Sequence, residues 1–289
     1  MRRAIFWVID NHVSGFKRHF SLSDVSNTEK AFSLTMCQST ALKLISWGIP
    51  FAIQCLVNVL TVRSWWDFHH STLGMYLDFM VTDDDAVLLS LSMTGSITQL
   101  VKVTVGRPRP DLISRCQPAP GSEDPLWGLS TADICTQAAS KIFEDGWRSF
   151  PSGHSSMSFA GLGFLAFYLA GKLHLFDTRG YVGKAWISIT PLTGALFVAT
   201  SRTMDYRHHW QDVVTGSALG LLLAYFSYRQ YYPHLASADA HEPYATRFED
   251  AKSVELDGID GATDSLLGRY EEDAEVISTR RNPTTGIRR

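Results

Sequence analysis

Three short stretches of the 289-residue sequence concentrate residues able to do chemistry: Lys102–Pro110 (KVTVGRPRP), Pro151–His154 (PSGH) and Ser201–Asp212 (SRTMDYRHHWQD). Lys102, Arg109 and Arg202 offer three positive charges. Arginine forks match phosphate oxygens two at a time. Cations gathered at a low-dielectric boundary need an anion among them. Ser152 and Gly153 stand just before an apolar run. Backbone N–H groups at such a helix start can face the same anion, and glycine lets it come close. His208 and Asp212, spaced i, i+4, share a face if both lie on a helix. A carboxylate bonded to one imidazole nitrogen fixes the tautomer and leaves the other nitrogen as a nucleophile. His154, from a different element, is placed to give a proton to a leaving alkoxide. Phosphoryl transfer needs mainly positioning and charge stabilisation, so this set requires no metal and no cofactor.

Each feature has a plainer reading when taken singly. A histidine at a helix start is usually a cap or a solvated side chain, and a boundary lysine or arginine is usually a snorkelling anchor. A zinc site from His154, His208 and Asp212 fits by ligand type, but the neighbouring cations would repel the metal. His209 would point about 100° away from His208 on a helix. His69 and His70 follow Trp65 and Trp66 and read as interfacial. Asp83–Asp85 lacks DDxxD spacing because position 87 is Val. ELDGIDGATD lacks the carboxylate spacing of a calcium loop. What sets the three stretches apart is their common location.

That location follows from five uncharged apolar runs of 16 to 19 residues: Leu44–Val62, Ala86–Val101, Ser155–Gly171, Ala185–Ser201 and Val213–Tyr228. A bilayer core takes roughly 20 residues of helix, with flanking Lys, Arg, Trp and Tyr making up the difference. One such run is ambiguous with a buried helix; five predict an all-α, polytopic membrane helix bundle. Counting spans puts 102–154 and 202–212 on one face. Segments 63–85 and 172–184 and the tail fall on the other. Lys172, Arg179 and Lys184 on the second face make it cytoplasmic by the positive-inside rule. Gly216 and Gly220 form a GxxxG packing face in the last run.

Three regions result: an N-terminal stub and polar segment (1–43), a membrane-embedded core (44–232) and an acidic tail (233–289) expected to be disordered. From His234 onward, 12 Asp and Glu face 7 Lys and Arg, while the whole chain carries −3. The remainder is thus only slightly basic, which argues against a nucleic-acid binder. Ala4–Ile9 is too short for a span and reads either as the stub of a sixth helix, truncated or absent, or as an interfacial anchor. Cys55 falls mid-membrane as a packing residue. Cys116 and Cys135, with 18 residues between them in the polar segment between the second and third runs, are the candidate disulfide of an oxidising lumen. That segment reads as a loop with one short helix from Thr131.

Lys102-x6-Arg109-Pro110, Pro151-Ser152-Gly153-His154 and Ser201-Arg202-x5-His208-x3-Asp212 together resemble the three-part signature of the type 2 phosphatidic acid phosphatase superfamily, the lipid phosphate phosphatases. The surrounding TQLVKVTVGRPRPDLISRCQP and DGWRSFPSGHSS look most like the fungal diacylglycerol pyrophosphate phosphatase branch. The resemblance spans roughly 40–232. It implies a six-helix, magnesium-independent membrane enzyme acting on phosphatidate, lysophosphatidate and diacylglycerol pyrophosphate through a phosphohistidine. It makes His208 the nucleophile, His154 the acid and Asp212 the orienter, with Lys102, Arg109, Ser152, Gly153 and Arg202 holding the phosphate. It places the site on the lumenal or exterior face of an endomembrane or plasma membrane. Vanadium haloperoxidases share the signature, but they resemble soluble helical proteins. A silent lipid-binding relative is expected to lose a histidine or a cation, and none is lost here.

Overall fold

The computed structural model describes residues 15–24, 39–73, 89–137, 141–177 and 180–244. The stub at Ala4–Ile9 and the chain beyond Tyr244 lie outside them. The chain divides into two units, Met1–Pro243 and Tyr244–Arg289. The described residues are helical, with two isolated β-bridges, Phe20 to Ser130 and Pro118 to Cys135. Five long helices coincide with the apolar runs. They are α1 (Thr40–Val62, with π-helical turns at Leu44–Gly48 and Asn58–Val62), α3 (Leu89–Val105), α6 (Gly153–Lys172), α7 (Val182–Met204) and α8 (Trp210–Tyr231). Shorter helices are α2 (Trp65–Leu73), α4 (Leu112–Cys116) and α5 (Lys141–Asp145). The short helix expected from Thr131 is a single 3-10 turn, Ala132–Ile134. Among the described residues, α1 and α7 are long and apolar enough to cross a membrane.

Helix α6 is the centre of the bundle. It is apolar on every side, and α1, α3, α7 and α8 pack around it. Leu162, Phe164, Leu165, Tyr168 and Leu169 join Ala195, Ala224 and Tyr228 in one core. The outer helices carry exposed large apolar side chains, among them Leu60, Trp186, Phe197 and Leu222. Such a surface is costly in water and ordinary against lipid.

In lipid, helices associate through close packing rather than water exclusion, and small residues set the approach. Here the GxxxG face of α8 lies on the start of α6. A Cβ on Gly220 would stand 2.2 Å from the Ser156 carbonyl oxygen, and one on Gly216 would stand 2.6 Å from that of Ser152. Both obstacles are backbone and cannot turn aside. Gly220→Val is therefore expected to abolish the monodisperse peak of detergent-extracted protein. Gly183→Val, with nothing within 4 Å of its Cβ position, should leave that peak intact.

At the bundle end away from the signature stretches, Asp67 of α2 is buried. It takes an ion pair from Lys172 and hydroxyl hydrogen bonds from Tyr232 (3.1 Å) and Tyr168 (3.3 Å). The Lys172 ammonium also donates to the His241 carbonyl at 2.5 Å. The Tyr228 hydroxyl donates to the Ala240 carbonyl at 3.3 Å. Described structure therefore continues past the last helix, folded against it.

Candidate functional site

The opposite end of the bundle gathers the three signature stretches. α3 stops because Gly106 turns the chain at φ +56°, its N–H still reaching the Lys102 carbonyl (3.2 Å). A Cβ there would lie 1.7 Å from the Phe16 carbonyl oxygen, so the turn requires glycine. The segment that follows carries Arg107 and Arg109. It is covered by a second small core of Phe20, Leu112, Cys116, Cys135, Phe143 and Trp147. Cys116 and Cys135 are joined by a disulfide, Cα atoms 4.7 Å apart.

α6 begins on Ser152, which is fully buried and whose Oγ accepts from the Ser155 hydroxyl at 2.9 Å. The Ser152 N–H donates to the Asp212 carbonyl (3.0 Å), tying the start of α6 to the first turn of α8. Gly153 stands against Lys102, whose ammonium would be 3.1 Å from a Cβ at that position. His154, in the same first turn, feels the charges of Arg202, Lys102, Arg109 and Arg207. Arg202, buried near the end of α7, pairs with Asp205 at 2.8 Å and donates to Ser201 Oγ. His208 feels Arg109, Lys102 and His154. The eight residues singled out by spacing thus meet at one end of the bundle.

The contacts of His208 differ from the expectation. The helix starts only at Trp210, so His208 precedes it and the shared helical face does not form. Its Nδ1 lies 2.7 Å from the Ser149 carbonyl oxygen and 3.9 Å from the nearer Asp212 oxygen. A carbonyl can only accept, so Nδ1 carries the proton and Nε2 keeps the lone pair. The tautomer is set by backbone, and Asp212 acts one step away. Fully buried, Asp212 accepts from Ser149 Oγ (2.5 Å), Arg107 Nη1 (2.6 Å) and the His209 N–H (3.2 Å). His209 is the N-cap of α8, and Asp212 closes its capping box. That duty draws the carboxylate toward the helix start and away from His208.

Sequence reasoning missed Arg107, Ser149 and Asp145. Arg107 sits two residues before Arg109 in the irregular segment after α3, and the two side chains take different partners. Arg107 reaches Asp212, and Arg109 reaches Asp145 (2.7 Å). Asp145 also meets Arg115 (3.2 Å) and Arg207 (3.5 Å). Burial pushes the Asp145 carboxyl up, but Arg109, Lys102, Arg115 and Arg207 together hold it below the ordinary range. Burial pulls the Arg109 guanidinium down to about 10, which leaves it charged. A surplus of arginines near one boundary was the available signal; their partners lie far off in sequence.

Burial, then Arg109 and Lys102, push the His208 imidazole well below its usual value of 6.5. The folded chain therefore holds it neutral while the unfolded chain takes up a proton near pH 6.5. Its contribution to stability is intact above that pH and is lost as pH falls below it, by about 1 kcal/mol down to pH 5.5. Ligand-free wild type should lose more melting temperature between pH 7.5 and 5.5 than His208→Gln does. Equal losses would show an imidazole that titrates normally.

Comparison with known proteins fits this geometry. Residues 86–235, just over half of the chain and all three stretches, match the PAP2 superfamily. The chain belongs to the PAP2 superfamily. Similar PAP2 proteins include "Lipid phosphate phosphatase 2" of Arabidopsis thaliana, 41% identical over 71% of this chain and 65% of that protein. "Probable diacylglycerol pyrophosphate phosphatase 1" of Schizosaccharomyces pombe is 35% identical over 80% of this chain and 77% of its own length. "Diacylglycerol pyrophosphate phosphatase 1" of Saccharomyces cerevisiae is 35% identical over 75% and 72%. The match spans 58 to 65% of the length of the Arabidopsis relatives named phosphatases 1 and 2. No solved structure matches this PAP2 chain significantly.

Proposed function

We propose that this PAP2 protein is an integral membrane lipid phosphate phosphatase acting through a phosphohistidine, without a metal. Its substrates are phosphomonoesters or pyrophosphates of lipids: phosphatidate, lysophosphatidate and diacylglycerol pyrophosphate. The observation that carries this reading is His208, whose Nδ1 proton is committed to the Ser149 carbonyl beside a cluster of cations. Nε2 of His208 attacks phosphorus while Lys102, Arg109, Arg202 and the N–H groups at Ser152 and Gly153 hold the phosphoryl oxygens. As the phosphorus–oxygen bond to the lipid breaks, His154 gives its proton to the leaving oxygen. Water then attacks the phosphohistidine and returns a proton to His154, and inorganic phosphate departs. The cations supply the charge stabilisation a metal would otherwise provide.

The names of the Arabidopsis and yeast relatives support the substrate class. The exposed apolar surfaces of the outer helices support crossing by α3, α6 and α8 as well as α1 and α7. In this reading the site opens to the lumen or exterior, and the loop at 172–184 is cytoplasmic. The test is a substrate panel on detergent-solubilised full-length protein with EDTA present. Phosphate release from lipid phosphates should persist undiminished. Activity that disappears with EDTA and returns with magnesium would contradict the metal-independent mechanism, and no release from any lipid phosphate would contradict the function.

A further inference from the structure

The polar segment between α4 and α5 is built to hold up an apolar tip. Its base is stapled by the Cys116–Cys135 disulfide and by the Ala119 N–H donating to the Ile134 carbonyl (3.2 Å). Further out, the Asp124 carboxylate accepts from Ser21 Oγ (2.6 Å), Ser130 Oγ (2.6 Å) and the Leu22 N–H (2.9 Å). Phe20 and Ser130 exchange backbone hydrogen bonds (3.1 and 2.8 Å). Asp124 and Ser130 thereby close the loop Pro125-Leu126-Trp127-Gly128-Leu129. At its tip, Leu126 is 96% and Trp127 97% exposed, and Leu129 is half-exposed. The pinned base keeps these side chains from folding back into the small core beneath.

We infer that the Leu126–Trp127 tip inserts into the headgroup and upper acyl region of the bilayer leaflet on the active-site side. This rests on the membrane-spanning reading proposed above. The segment leaves the chain after α3 and rejoins it before α6, at the end of both helices that carries the site, so its base sits at the bilayer boundary. Trp and Leu are the side chains that settle there, one amphipathic and one apolar. No Lys or Arg occurs between Gln117 and Gln137, so the contact needs no anionic lipid. Trp210, exposed at the first turn of α8, offers a second aromatic at the same end. Pinned through the disulfide core to Arg109 and Asp145, the tip fixes the height of the phosphate-binding cations over the leaflet that presents the lipid headgroup.

The test uses full-length protein in phosphatidylcholine proteoliposomes. Tryptophan emission is compared between wild type and Trp127→Phe, so that the difference reports one of the eight tryptophans. Lipids brominated near the top of the acyl chain should quench the difference emission, and aqueous iodide should not. The double variant Leu126→Glu/Trp127→Glu should lose about tenfold in kcat/KM on lipid phosphate dispersed in vesicles. Its hydrolysis of p-nitrophenyl phosphate should be unchanged. The inference is overturned if the difference emission responds to iodide but not to brominated lipid, if both substrates are lost alike, or if the tip crosslinks to a second copy or another protein. If none of the tryptophans responds to brominated lipid, the membrane reading itself fails.

Discussion

His208→Ala should lower turnover of lipid phosphate by about 10⁴-fold or more, with KM little changed. In the proposed mechanism the variant removes the one nitrogen placed to attack, yet leaves Lys102, Arg109, Arg202 and the start of α6 to bind substrate. His209→Ala is the control. His209 lies 3.4 Å from Asp212 through Nδ1 and caps α8. Its loss should cost a cap, about 1 kcal/mol, and only about tenfold or less in kcat. Steady-state kinetics on solubilised protein, with matched size-exclusion profiles, decides this. If His208→Ala retained a substantial fraction of activity, the nucleophile would be another group, with His209 first in line.

Asp212 gives the second large effect, and its pattern separates two geometries. If the carboxylate bonded directly to the nucleophilic imidazole, Asp212→Asn would present the wrong partner and cost about 10⁴-fold, as in a serine protease triad. Here the Ser149 carbonyl sets the tautomer, and the carboxylate holds Ser149 Oγ and Arg107 in place. Asparagine keeps an oxygen for one of these two partners, so Asp212→Asn is expected to cost only about 10²-fold in kcat. Asp212→Ala leaves Arg107 without its partner beside a buried site, costing about 3 kcal/mol or more in stability and turnover. Arg107→Ala should resemble it, with the loss in kcat rather than KM, because Arg107 acts through its ion pair with Asp212. A 10⁴-fold loss in Asp212→Asn would restore the direct contact.

The five long helices were legible because each is a long uncharged run with polar ends, and a helix satisfies its own backbone wherever it lies. The convergence of Lys102, His154 and His208 followed from counting spans, since each lies at a helix end. Gly216 and Gly220 declared a close approach, though not that Ser152 and Ser156 would be on its other side. The immediate surroundings of His208 were not legible. The i, i+4 spacing to Asp212 assumed a helix that begins two residues later, and the partner that took its place is a backbone carbonyl, which every residue has. Arg107 was hidden for a related reason: its carboxylate is 105 residues away and is settled only by packing. The apolar tip at Leu126–Trp127 passed unnoticed because two apolar residues in a polar loop make no pattern until their exposure is known.

The chemical form of the phosphoenzyme tests the account most directly. Wild-type protein incubated briefly with 32P-labelled lipid phosphate, quenched in alkali and digested should yield phosphohistidine at His208. With Nδ1 committed to the Ser149 carbonyl, the phosphoryl group should sit on Nε2, a position that 31P NMR of the isolated peptide distinguishes from Nδ1. Label on Nδ1 of His208, on His154 or His209, or the absence of any acid-labile label during turnover would contradict the account.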